Sequence, residues 1–573
     1  MTTKRNSVKG VITVLIALML SGILSLGTLA LEAGRYQAAK TQLNDATISA
    51  ATSMLAAYDS TLFERYGLLA IDDDIATAGR CQGYLEFNSD LAPGYEGNNL
   101  ATLYKVDSVE MEGFYNLTYP AVLKRQILSR AKFNLVHQDY SLNYYNMDYF
   151  LSALQSKADY VMDELKSVAN GTASAGSLSD IPTDVQESLK LMYQAFNTIK
   201  RYDPEYNVTL ASSSTGILPS VTGTETHDAP TSDIDAINTA VSDAQSVIGS
   251  YGSMLASSGS ATYTEIDASV NVNYVNSVIN NFSDMNKLKN NAKAITSDCR
   301  TLVQAVSAAI NVLNSDKEGN LLLNSYIAGY FPNKNYIVEG YNGPAKGTTG
   351  SMNNGTFTGS CVEYAFSANS SEKANQESAY NYIMAVRLVS NLYSTIINSN
   401  SFNRNNACSV AAHVAWAYYE SFADTELLFR YNATVPLEKY SQMFSINEAA
   451  KVKSAFASKN LLNALKALGI LSGSTFTISG VDQTNYRDAL ALALWFVPNS
   501  KKMLRVADLI QLEMRYYQQY VEKKPADFLI SEKNTFCRVR SVGRLNSILP
   551  VISLNSSGAI KGTEFQSIRY VGY

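Results

Sequence analysis

The residues best suited to metal or nucleophilic chemistry are three histidines, His137, His227 and His413, and five cysteines, Cys81, Cys299, Cys361, Cys408 and Cys537. No two cysteines form a CxxC pair, so zinc-finger spacing is absent. Their odd number leaves at least one thiol free, and their spacings match no disulfide framework. His413, Glu420 and Asp424 fall at i, i+7 and i+11, on one face of a helix. Carboxylates two and three turns along are too far from the imidazole to share an ion with it. The stripe therefore reads as hydrogen-bonded or solvated, and no metal ligand is assigned. Asp72, Asp73 and Asp74 lack the alternating oxygen ligands and turn glycine of a calcium loop, so they read as a solvated turn. The stretch from Gly343 to Gly350 is loosely phosphate-like, but Lys346 stands on the wrong side of Gly347 for a P-loop. HExxH, GxSxG, GxxxxGK[ST] and GxGxxG are all absent. With no acid–base or nucleophile–base pair to nominate, the chain is expected to be no enzyme and to hold no cofactor.

The elements around these residues begin with an anchor. Val11 to Leu31 carries no charged residue and is long enough to cross a bilayer as a helix. Lys4, Arg5 and Lys9 precede it and Glu32 follows it, which predicts the N-terminus inside and the remainder outside. The run exceeds a signal-peptide core and continues without proline into a helical pattern over Glu32–Tyr58, so a retained anchor is expected. No later segment matches it, so a single pass is expected at the cell membrane, with the lipid bilayer as one partner. Beyond the anchor, Ala39, Leu43, Ala46, Ala50, Ser53 and Ala57 alternate spacings of four and three. That is a seam of small residues for close helix packing, on the protein's own domain or on a neighbour.

At 573 residues the chain calls for two or three subdomains. A net charge of −5 gives no reason to expect nucleic acid, and 37 tyrosines suit protein–protein contacts. The fold class read from the pattern is mainly α (α+β). A transmembrane helix continues into a long extracellular helix, followed by a multi-helix ectodomain and a small antiparallel sheet. Val106 to Leu117 alternates as a strand. Helices are expected from Pro120 to about Val136, and over Met147–Ala169, Asp184–Lys200, Ser371–Ile397, Asn406–Phe429, Ser445–Leu468, Asp482–Val497 and Lys502–Tyr520. Ser232–Ala256 and Ile266–Leu313 read as a long helical hairpin, after a loop over Ala211–Thr231. Asn335–Gly359 reads as a second loop. Phe536–Val542, Ile548–Leu554 and Phe565–Val571 read as short strands that join the first in one sheet. The divisions are residues 1–10 inside, 11–31 in the membrane, 32–70 an Ala-rich helix and 71–230 a first ectodomain part. The hairpin follows over 231–334, then a helical domain over 335–530 and a β-rich tail over 531–573.

The opening of the chain resembles the TadE/TadG-like membrane proteins of the tight-adherence (Tad) pilus system. The basic start, the run Gly10–Leu31, the juncture Glu32, Gly34 and Arg35, and the Ala-rich Gln42–Ala51 carry the likeness. Further phrases resemble a large subgroup from Gram-positive anaerobes: Tyr66–Ile71, Leu322–Phe331, Val362-Glu363-Tyr364, Trp416 with Glu420 and Asp424, Val435-Pro436-Leu437, and Arg505–Gln511. Prepilin peptidase substrates carry Gly at the cut and Glu five residues on. Here Leu15 stands at that distance from Gly10, which implies the unprocessed, TadG-like type. The resemblance implies a minor pilin-like or assembly component of a Tad-type surface pilus or secretion apparatus, partnered by other proteins of that apparatus. The alternative from the Tyr- and Asn-rich surface and long loops is an anchored adhesin or sensor that binds a surface ligand.

Overall fold

A computed structural model describes residues 5–88, 104–137, 144–183, 185–186, 189, 285–313, 316–335, 349–352, 355–358, 361–368, 372–439, 483–545 and 564–573. They fall into two compact units. The first holds the described residues up to Val122 and from Leu529 onward; the second holds those from Leu123 to Phe528. Most of the helix 184–200, the loop 211–231, the hairpin up to residue 284, the helix 445–468 and the strand 548–554 lie outside the described residues, as does most of the phosphate-like stretch.

The first unit is built on one helix, α1 (Arg5–Leu55), 51 residues and about 76 Å long at 1.5 Å per residue. No proline interrupts it. Its hydroxyls turn back on its own backbone: Ser21, Ser25 and Thr28 donate to the carbonyls of Leu18, Ser21 and Ser25 at 2.8, 2.7 and 2.9 Å. A polar group satisfied inside the helix can face lipid at little cost. From Ile12 to Leu31 the helix is bare, with Leu18 64%, Ile23 66% and Leu26 70% exposed, and it is long and apolar enough to span a membrane. The expected rod is continuous but ends at Leu55, three residues short of Tyr58. After it come α2 (Ser60–Tyr66), capped by the Asp59 carboxylate and by Gly67 at φ 67°, then β1 (Ile71–Asp72) and α3 (Ala78–Asn88). The sequence signal for 32–70 as one helix had missed the Asp59 cap.

Strand β2 (Tyr104–Asn116) pairs antiparallel along one edge of β7 (Lys533–Leu545), while β1 and β8 (Glu564–Gly572) share its other edge. Alternation decides which face meets α1. Cys537, Val539 and Leu545 point inward; Arg538, Arg540 and Arg544 point outward and pair with Glu112, Glu110 and Asp107 on β2 at 2.7, 3.0 and 2.8 Å. Ala39, Leu43, Ala46 and Ala50 of the seam are buried in this core, with Ala51, Met54 and Leu55 beside them. Ser53 and Ala57 are half-buried; Ala57 lies past the helix end. Approach is close enough that a Cβ on Gly543 would stand 3.2 Å from Leu43, and Thr47 Oγ1 lies 2.6 Å from Ser541 Oγ. Ala46→Trp or Ala50→Trp is expected to overpack this contact and cost about 1–3 kcal/mol in denaturant melts of the full chain in detergent. Asp45→Trp, on the exposed side, is expected to stay within about 0.5 kcal/mol. Equal melts would remove the seam as a packing surface.

The acidic run is a solvated turn at Asp73 and Asp74, which are exposed, but not at Asp72. Asp72 sits in β1 and binds the Lys533 ammonium, which Asp59 also binds at 2.7 Å, while Asp73 accepts from the Asn534 amide. Asp72 was misread because its cation, Lys533, enters from the far end of the chain.

The second unit is helical. It contains α4 (Pro120–His137), α5 (Tyr144–Ala169), α6 (Met285–Asn290), α7 (Ala292–Leu313) and α8 (Lys317–Tyr330). It continues with α9 (Tyr364–Ser367), α10 (Glu372–Asn398), α11 (Ala407–Tyr431), α12 (Tyr486–Ala493) and α13 (Asn499–Tyr517). Helix α5 packs on α7 and α10, and α11 packs on α10 and α7. The described half of the expected hairpin, α6 and α7, is thus part of this packing. Helix α11 is buried on nearly every side, as an all-round apolar helix must be. Asn406 starts it, its side chain accepting from Ser409 N at 3.1 Å, and Asn432 at φ 47° ends it. Among the described residues, a hairpin and a second short antiparallel pair complete the unit. The Gly- and Asn-rich loop holds β3 (Thr349–Met352) with β4 (Gly355–Thr358), and β5 (Val435–Pro436) pairs with β6 (Gln483–Thr484).

Candidate functional site

Among the described residues, a dense collection of charged side chains lies inside the second unit, on α11 and its neighbours. Glu420 and Asp424 are one turn apart on α11, so both carboxylates reach the same side. Lys439, just beyond β5, places its ammonium between them, 2.7 Å from Glu420 Oε2 and 2.7 Å from Asp424 Oδ1. All three side chains are 0% exposed. From α10, Arg387 Nε donates to Asp424 Oδ2 at 3.0 Å, Nη2 reaches the same oxygen, and Nη1 donates to Leu437 O at 2.9 Å. Asn391, one turn on, donates to Asp424 at 3.1 Å, and Trp416 Nε1 donates to Glu420 Oε1 at 3.2 Å. Burial alone would push the Asp424 carboxyl up, but the Arg387 and Lys439 charges outweigh it and hold it below the usual carboxylate range. Two anions face two cations, and the cluster is neutral and shut off from solvent.

His413 is not part of this cluster. Its Nδ1 lies 2.8 Å from Ser409 O, which can only accept, so Nδ1 carries the proton and Nε2 accepts from Ser399 Oγ at 2.8 Å. Burial pushes the imidazole down to about 4, leaving it neutral. The stripe His413, Glu420 and Asp424 is hydrogen-bonded, and none of it is solvated. Among the described residues, no group of His, Cys, Asp and Glu is placed to hold a metal ion. All five cysteines are buried and none is in a disulfide. Burial pushes Cys81 up to about 11, and burial with the neighbouring Cys81 pushes Cys537 up to about 12, so neither is an activated nucleophile.

A second buried polar set follows α13. Lys502, 1% exposed, donates to Asn324 Oδ1 at 2.6 Å. Burial, with the Lys124 charge nearby, holds it well below the usual lysine range. Asp508 accepts from the Tyr364 hydroxyl at 3.0 Å, and Glu363 from Tyr486 at 2.8 Å. Sequence reasoning missed Arg387, Lys439 and Lys502 altogether. Glu363, Tyr364 and Asp508 stand in phrases quoted for the resemblance, but nothing local marks them as buried.

At the membrane juncture, Arg35 pairs with Glu32 at 3.2 Å and Gly34 is open, with nothing near a Cβ placed on it. Above it an open groove of about 640 Å³ runs along α1, lined by Gly34, Ala38, Thr41 and Asp45 among others. Asp45 is its one ionisable residue among the described lining, so the groove offers shape without chemistry. Neither place assembles a nucleophile with a base, a cation cradle or an acid–base pair open to solvent; the cluster's evident work is to fix α10, α11 and the segment after β5 in one arrangement. Residues 257–532 match a family of unknown function (DUF5702), a stretch that takes in both buried polar sets and leaves out α1 and β8. No curated protein and no solved structure matches the chain.

Proposed function

We propose that the chain is a single-pass membrane protein with its N-terminus inside and both units outside the cell. It acts through protein contacts, as a minor pilin-like or assembly component of a Tad-type surface pilus or secretion apparatus. The observation that carries this reading is α1. One unbroken helix has a bare apolar half and then a half that is buried on one side and open on the other. Such a helix anchors the folded part and leaves a lateral face for a neighbour, and the Tad assignment adds the likeness of residues 1–70. The cluster of Glu420, Asp424, Lys439 and Arg387 fits a structural role, since it is closed and self-neutralised. Exposed Tyr149 and Tyr520, at 68% and 59%, support the second reading, an adhesin or sensor surface.

Topology is tested first. Because the native thiols are buried, an introduced exposed cysteine is the reactive one. An impermeant maleimide is expected to label Lys40→Cys in intact cells and to leave Ser7→Cys unlabelled; the reverse pattern overturns the orientation. A photo-cross-linker at Asp45, on the open side of α1, is then expected to capture pilus or secretion proteins in cells. Capture of a surface ligand at Tyr520, with none of those proteins at Asp45, would favour the adhesin.

A further inference from the structure

The height of the first unit above the membrane follows from α1, given the reading that α1 spans the bilayer. The apolar run ends at Leu31, and Tyr36 lies five residues on, about 7 Å higher. The headgroup layer on each side of the hydrocarbon core is about 5–8 Å deep, so Tyr36 is at its outer edge. Tyr36 meets Phe565 edge-on at 5.6 Å, and Phe565 meets Tyr104 at 5.8 Å. At the other end of the same strand, the Tyr573 hydroxyl donates to Leu55 O. From Tyr36 to Leu55 the helix rises about 28 Å. From Phe565 to Tyr573 an extended chain covers about 26 Å. The two lengths agree, so β8 runs alongside α1 in the same direction, and its Phe565 end is level with Tyr36. A tilt of about 20° would change these heights by less than a tenth.

Register brings the rest of that end to the same level. Glu564 and Lys105 both pair with Arg544, and Tyr104 pairs with Leu545. Lys105, Arg544 and Glu564 are exposed. Tyrosine with arginine and lysine is the composition that settles at a membrane–water interface, where an aromatic body stays half-dry and cations meet phosphates. We infer that this end of the sheet stands on the lipid headgroup layer, with Lys105 facing lipid phosphates and Arg544, which also pairs with Asp107 and Glu564, beside it.

The test uses the full chain in vesicles of phosphatidylcholine and phosphatidylglycerol. Bimane is attached to one introduced cysteine at a time: Lys105→Cys, Glu564→Cys, Glu532→Cys or Leu24→Cys. Nitroxide is carried on the lipid headgroup or on the acyl chain. Glu532 is exposed at the far end of β7, about 40 Å along the strand from Arg544. Headgroup nitroxide is expected to quench Lys105→Cys and Glu564→Cys twofold or more and to leave Glu532→Cys unchanged, while acyl-chain nitroxide quenches Leu24→Cys. If Leu24→Cys is quenched and the two sheet positions behave like Glu532→Cys, the docking is overturned and the anchor stands. If Leu24→Cys is not quenched, the span itself fails, and this inference with it.

Discussion

Lys439→Met is expected to cost about 3–5 kcal/mol of stability, several times the effect of removing any of the exposed ion pairs on the β2–β7 face. The reason is the enclosure. Lys439 bridges Glu420 and Asp424 at 2.7 Å each, and none of the three side chains is exposed. Removing the ammonium leaves two carboxylates in the interior with one guanidinium, which binds Asp424, and a buried charge left unmatched costs far more than the pair had contributed. The double variant Lys439→Met, Glu420→Gln restores neutrality: Asp424 keeps Arg387, and the amide still accepts from Trp416. It is expected to recover most of the loss, with a coupling of at least about 2 kcal/mol between the two sites. Urea melts of the four proteins of the cycle decide it. A single-variant cost under about 1 kcal/mol would show that water reaches the cluster. Two losses that simply add would show that Lys439 and Glu420 do not act as a pair.

That cluster also marks where the sequence could be read and where it could not. Glu420 and Asp424 were visible as residues sharing a helix face, because α11 has an Asn cap and an uninterrupted apolar background. Their cations come from positions 37 and 19 residues away in the pairs Arg387–Asp424 and Lys439–Glu420, and no local pattern points to either. The helices α1, α4, α5, α10 and α11 and the long strand β2 were legible from period, proline placement and caps. The small elements were not. Strand β1 is two residues long and exists only because β7 arrives beside it. Helix α8 is buried from Gly319 through Asn324 and so shows no amphipathic period to find. The hairpin β3–β4 lies in a stretch whose glycines and asparagines read as loop. The pairing of the tail with β2 was accessible from alternation. The burial of Asp508 was not, since its partner Tyr364 is 144 residues away.

Asp508→Asn is expected to stabilise the protein at alkaline pH and to change nothing in acid. Asp508 is 2% exposed on α13; Oδ2 accepts from Tyr364 at 3.0 Å, and Oδ1 is buried with no hydrogen-bond partner among the described residues. The Arg505 charge pulls the carboxyl down, but its guanidinium is turned to the carbonyls of Ala365 and Phe366 at 3.0 and 2.9 Å. Burial therefore dominates, and it pushes the Asp508 carboxyl up to about 8, against the smaller pull of Tyr364 and Arg505. In the unfolded chain the same group titrates near the ordinary aspartate value of about 3.9. The folded state thus binds the proton more tightly. Its contribution is fully present below about pH 4, falls as pH rises and is gone once pH passes about 8. Asparagine has the shape of the protonated acid, still accepts from Tyr364 and carries no charge to bury. Wild type and variant should melt together below about pH 4. Their difference should grow through pH 5–7 and level off above about pH 8 at a few kcal/mol in favour of the variant. Other titrating groups cancel in the difference, including neutral His413 and Asp488, the latter pushed up to about 6 by burial. A difference that stays flat across this range would mean that Asp508 is ionised in the folded protein, with its charge met by water or by a group that the buried geometry does not supply.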